Sequence, residues 1–179
     1  MGGDMTLSDL ASIGNFVSGA AVLVSLIFLT LQIRQANKNQ RAIIQQGRAT
    51  RIADFLLHVA EPSLLPAWSA GLRGDRQIGP ERHFQFMYIA RARFISFEDS
   101  FLQRRSGLME DGVFLGHANA FRAVFNGPGL RAAWKLTRMS YDPDFANFVD
   151  QIAAEPVRDS NSALQEWLSA IDAEMRETR

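Results

Sequence analysis

Ile13–Ile33 reads IGNFVSGAAVLVSLIFLTLQI and holds no charged residue. A helix rises about 1.5 Å per residue and the hydrocarbon core of a bilayer is about 30 Å thick, so roughly 20 apolar residues cross it. The stretch is long enough, and residues 13–33 are expected to form a transmembrane helix. A cleaved signal peptide fits poorly. Its leader would be basic and its apolar core about 7–15 residues long. Here Asp4 and Asp9 precede the run, and Gln32-Ile33-Arg34-Gln35 stands where a cleavage site would be. A buried core helix rarely lacks charge on every face over such a length.

The flanks set an orientation. Arg34, Lys38, Arg41, Arg48 and Arg51 come after the span with no acid before Asp54. Basic residues stay cytoplasmic and acids weigh little. Residues 1–12 are therefore expected outside and the rest of the chain inside. Arg34, Lys38, Arg41 and Arg48 share a stripe suited to anionic headgroups, each worth roughly 1 kcal/mol near the surface. An ordinary topogenic flank explains them as well.

Within the span, Ala11, Gly14, Ser18, Ala21 and Ser25 recur at steps of three and four. Lipid gives no hydrophobic drive for helix pairing, so helices associate where small residues let backbones approach. The stripe reads as a helix–helix interface, with Asn15 and Gly19 at its edge. The plainer reading is that small residues are common in spans. A pore would need charged or strongly polar rings, and Asn15, Ser18, Ser25 and Thr30 are not ionisable.

The chain has 179 residues, formal net charge zero and no cysteine. The residues after the span are enough for one domain. Zero net charge and interleaved acids and bases argue against nucleic acid. Lack of cysteine excludes disulfides and thiolate zinc sites.

No segment alternates at period two long enough for a strand, so the fold class is all-α. Residues 34–60 continue the span as a juxtamembrane helix that turns apolar at Ile52, Phe55, Leu56 and Val59, and residues 61–179 form a helical bundle. Glu61-Pro62 ends the first helix. Ser63 is placed as cap of the next, with Leu64, Leu65, Trp68 and Leu72 inward. Pro80 opens a long helix to Arg105, with Phe84, Met87, Phe94, Phe97 and Phe101 inward, flanked by Ile89, Ile95 and Leu102. A helix over 111–125 buries Phe114, Ala118, Phe121 and Phe125. Asn126-Gly127-Pro128-Gly129 is a turn. The next helix buries Leu130, Ala133 and Trp134 and turns Arg131, Lys135 and Arg138 outward. A short helix after Asp142-Pro143 carries Phe145, Phe148, Val149 and Ile152. Asp159 or Ser160 caps a last amphipathic helix with Leu164, Trp167, Leu168, Ile171 and Met175.

Chemistry is sparse. Glu98 falls on the Phe94–Phe101 stripe with Arg91 two turns earlier. A buried carboxylate must be paired or protonated, so Glu98, Arg91 and His117 form the candidate buried polar site, with a Glu–Arg tie between helices as the structural alternative. His58, His83 and His117 show no metal-pair spacing, and HExxH is absent. Phosphate loops and hydrolase elbows are absent too. No metal or cofactor is expected, and no catalytic residue is assigned.

Leu7-Ser8-Asp9-Leu10, Ile13-Gly14, the apolar run and Gln32-Ile33-Arg34-Gln35 together resemble the N-terminal signature of a widespread family of uncharacterised bacterial single-pass membrane proteins. Phe97-Glu98-Asp99, Gly107-Leu108 and Pro128-Gly129…Trp134, with the later Phe145…Phe148-Val149-Asp150, resemble that family as well. The resemblance implies an N-terminal span in the inner membrane and a helical domain, and adds no catalytic residue. The expected role is a membrane-anchored assembly or accessory protein that pairs with itself or joins a larger membrane complex. The rivals are an enzyme or ligand-binding domain with a pocket near Glu98, and a homo-oligomeric channel.

Overall fold

The computed structural model describes residues 6–156 and 162–177, and they fall into two compact units that divide between Ala49 and Thr50. Among the described residues there are seven α-helices and no strand. They are α1 (Leu7–Val59), α2 (Leu65–Arg73), α3 (Pro80–Arg105), α4 (Asp111–Phe125), α5 (Pro128–Thr137), α6 (Pro143–Ala153) and α7 (Ser162–Glu177), with one 3-10 turn at Arg138–Ser140.

The first unit is α1 up to residue 49. This helix is long and apolar enough to cross a membrane, and none of its apolar window is buried. Phe16 is 79% exposed and Phe28 61%. Three hydroxyls along α1 are satisfied locally. Ser12, Ser25 and Thr30 each donate to the carbonyl four residues back, at 2.9, 2.8 and 2.8 Å. That habit keeps a hydroxyl bonded where no water is available.

The second unit is built around α3. Phe86, Ala90, Phe94 and Phe97 are buried on its inner face, against Phe114, Ala118, Phe121 and Phe125 of α4 and Phe145, Ala146, Val149 and Ile152 of α6. The rings interlock. Phe97 stacks on Phe121 at 4.2 Å, Phe94 meets Trp134 edge-on at 5.3 Å, and Trp134 stacks on Tyr141 at 5.2 Å. Proline opens α3, α5 and α6 in their first turns, where its missing N–H costs nothing. Gly74 and Gly107, at φ 68° and 69°, stop α2 and α3 in the left-handed conformation.

Some expected positions shift. The helix after Pro62 is flanked by Leu64, with no side-chain cap, so Ser63 does not cap it. Leu65, Phe84 and Ile95 are exposed at 46%, 62% and 50%. The inner stripe of α3 runs one phase later than Phe84 suggests, through Phe86 and Ala90. Arg131 and Arg138 do not face open water: both are only part-exposed and hydrogen-bonded. The proposed caps Asp159 and Ser160 lie outside the described residues.

The Asn126–Gly129 turn has a second role. A Cβ on Gly129 would run into the Gly71 carbonyl oxygen, and one on Gly127 would lie 2.7 Å from the Leu72 carbonyl. A Cβ on Gly71 would enter the Phe86 ring. Here α2 and α5 touch backbone to backbone. Gly129→Ala should cost about 1–3 kcal/mol through overpacking. Thermal unfolding in detergent checks this, with Gly79→Ala as reference, because a Cβ there meets nothing within 4 Å.

Candidate functional site

The polar groups of the second unit tie helix ends together. Glu98 Oε1 accepts the Asp142 backbone N–H at 2.6 Å. Asp142 caps α6, accepting from the Asp144 and Phe145 N–H groups. Arg105 then bridges the Asp142 and Asp144 carboxylates at 3.1 and 3.0 Å. The Phe145 N–H and the Arg105 guanidinium hold the Asp142 carboxyl below the usual carboxylate range.

A second tie joins α5 to α6. Asp150 accepts the Trp134 indole N–H at 2.8 Å and Arg138 at 2.6 Å. Burial works against the Asp150 carboxylate, but the Trp134 and Arg138 donors outweigh it and lower its pKa. Arg131 donates to the Ala153 and Glu155 carbonyls at 3.0 and 2.8 Å, closing the C-terminal end of α6.

Both shifts favour the ionised form in the folded chain. Their stabilisation is complete above the unfolded carboxylate pKa, about 4, and is lost as pH falls through the lower folded values. Asp142→Asn should therefore flatten the loss of stability below about pH 4. Denaturant titrations between neutral and acid pH check it; an unaltered slope would count against the assignment.

Of the expected polar site, Arg91 and Glu98 both lie near enough to Tyr141 to act on it electrostatically. Glu98 is half-buried and bonded to the cap of α6, Arg91 is exposed, and His117 is half-buried on α4. Three clefts of the second unit, about 370, 500 and 170 Å³, are lined by none of them. The 370 Å³ cleft lies between the last turns of α1 and the flank of α3. Ile52, Phe55, Ala92 and Ile95 form its apolar walls, and Arg51 and Asp99 pair across it at 2.9 Å. Arg93 also lines it, with its guanidinium 5.9 Å from the Phe121 ring centre and its pKa lowered by burial. Among the described residues no three His, Asp or Glu side chains are grouped to hold a metal.

Along the first unit, Ala11, Gly14, Ser18, Ala21 and Ser25 are all exposed, and a Cβ on Gly14 would meet nothing within 4 Å. Arg34, Lys38 and Arg41 are exposed.

Sequence reasoning missed the apolar surface of the second unit. Phe84, Tyr88 and Ile95 on α3 and Leu164, Trp167, Leu168 and Met175 on α7 are exposed. The amphipathic spacing of α7 was the available signal. No protein family, curated protein or solved structure matches this chain.

Proposed function

We propose that this chain is a membrane-anchored assembly protein. Residues 13–33 span the bacterial inner membrane with the N-terminus outside, and the helical domain works in the cytoplasm. Activity lies in helix–helix association, with further copies of the chain or with a larger membrane complex. The observation that carries the reading is the length of uncovered apolar surface on α1, with a stripe of small residues open along it. In water such a surface is unfavourable by roughly 25 cal/mol per Å²; in lipid it is at home.

Arg34, Lys38 and Arg41 would meet anionic headgroups on the cytoplasmic side. Against the alternative of a catalytic or ligand-binding pocket near Glu98 stands the use of that carboxylate to hold the start of α6. A conducting assembly is disfavoured as well. Ser25 and Thr30 spend their hydroxyl protons on their own helix.

Gly14→Leu with Ser18→Leu tests the stripe. The bulky pair should weaken association of the full chain in mild detergent or in a reporter of span pairing, with membrane insertion retained. Unchanged association would remove the stripe from the account.

A further inference from the structure

Two helix faces of the second unit are apolar, exposed and matched in spacing. On α7, Leu164, Leu168, Ile171 and Met175 recur at steps of four, three and four, with Trp167 beside them. All but the half-buried Ile171 are exposed, Trp167 to 60%. On α3, Phe84, Tyr88, Arg91 and Ile95 repeat the same steps. Tyr88 is 70% exposed and Arg91 is exposed too.

Charge narrows the occupant. The α7 stripe is flanked by Asp172 on one side and Glu174 on the other, and Glu166 and Glu177 lie behind. An anionic lipid surface would repel this helix. A second α7 would bring like charges together. A face with a base at its third position fits, and α3 has one in Arg91. Aligned step for step, Leu168 meets Tyr88, and Ile171 meets Arg91 with Asp172 alongside. Equal spacing on both helices lets their ridges interdigitate.

We propose that α7 of one copy docks on the Phe84–Ile95 face of α3 in a second copy. A two-fold pair makes the contact twice, since each copy offers both surfaces. The inference rests on the reading that copies of this chain associate, and it names a surface for that association outside the span.

Absence of native cysteine makes the test clean. Two differently tagged full-length chains, Tyr88→Cys and Leu168→Cys, are mixed in mild detergent and oxidised. The expected product is a disulfide-linked pair carrying both tags, formed far more readily than with Met139→Cys, another exposed position (87%). A product no more abundant than that reference overturns the proposal. So does preferential Leu168→Cys pairing with itself, or cross-linking confined to single chains that carry both substitutions.

A second measurement needs no cysteine. Arg91→Asp should weaken self-association about three- to tenfold, and adding Asp172→Arg should restore it. Both positions are exposed, so folding is not at stake. No change with Arg91→Asp would also overturn the docking. Repeating the cross-link in the Gly14→Leu/Ser18→Leu background separates the two contacts. A cross-link that survives there shows the α3–α7 contact standing without the span stripe. Its absence in both backgrounds, while the chain with the native stripe still pairs through its span, removes this contact alone.

Discussion

Arginine at both Val24 and Phe28 is expected to keep the chain out of the bilayer. Val24 lies mid-span and Phe28 about one turn further on, where the three-and-four spacing of the stripe continues past Ser25; they are exposed on α1 at 65% and 61%. An arginine at the centre of a spanning helix costs about 2.5–3.5 kcal/mol on an insertion scale. Two cost about 5–7 kcal/mol, which lowers the inserted fraction more than a thousandfold. The leucine pair Val24→Leu/Phe28→Leu should stay in the membrane. Fractionation of cells making each variant reads the difference. If the arginine pair stays membrane-bound like the leucine pair, the span has been placed wrongly.

Trp134→Ala should produce the largest loss of stability in the helical domain. The side chain is 1% exposed and touches Phe94, Tyr141 and Phe145 at ring distances of 5.3, 5.2 and 5.8 Å. Its N–H is one of the donors that let Asp150 stay ionised. Truncation removes packing and leaves a cavity, for about 3–5 kcal/mol. A domain this size has about 5–15 kcal/mol in all, so the melting temperature should fall by about 10 °C or more. Trp134→Phe keeps most of the packing and loses mainly the hydrogen bond, about 1 kcal/mol. Far-UV circular dichroism melts in detergent separate the two. Equal losses would mean that the hydrogen bond, and not the packing, dominates.

Much of the fold was legible because its signals are local. Pro80 and Pro143 announce helix starts, and residues 111–125 carry one apolar stripe that the folded chain buries. The apolar run at 13–33 needs only a count of residues. The hidden part depends on contacts between distant segments. Phe84 and Phe86 offer α3 two phases, and the choice falls to Ala90, whose small side chain gives little signal but lies fully buried. Gly129 looks like a turn residue until α2 comes against it.

The candidate polar site is hard to read for the same reason. Glu98 has the carboxylate and the half-buried position, but its partner is a backbone N–H 44 residues away, which no side-chain pattern reveals. Arg131 and Arg138 fall on the outward stripe of α5 by spacing and are recruited by α6. The apolar face of α7 was readable as amphipathic. Periodicity assigns such a face to a core, whereas this one is left uncovered.

An alkaline wash of membranes from cells making the unmodified full chain reads out whether residues 13–33 lie in lipid. The protein is expected to stay with the pelleted membranes and to leave them only with detergent. Recovery in the wash as a water-soluble, well-dispersed protein would contradict it.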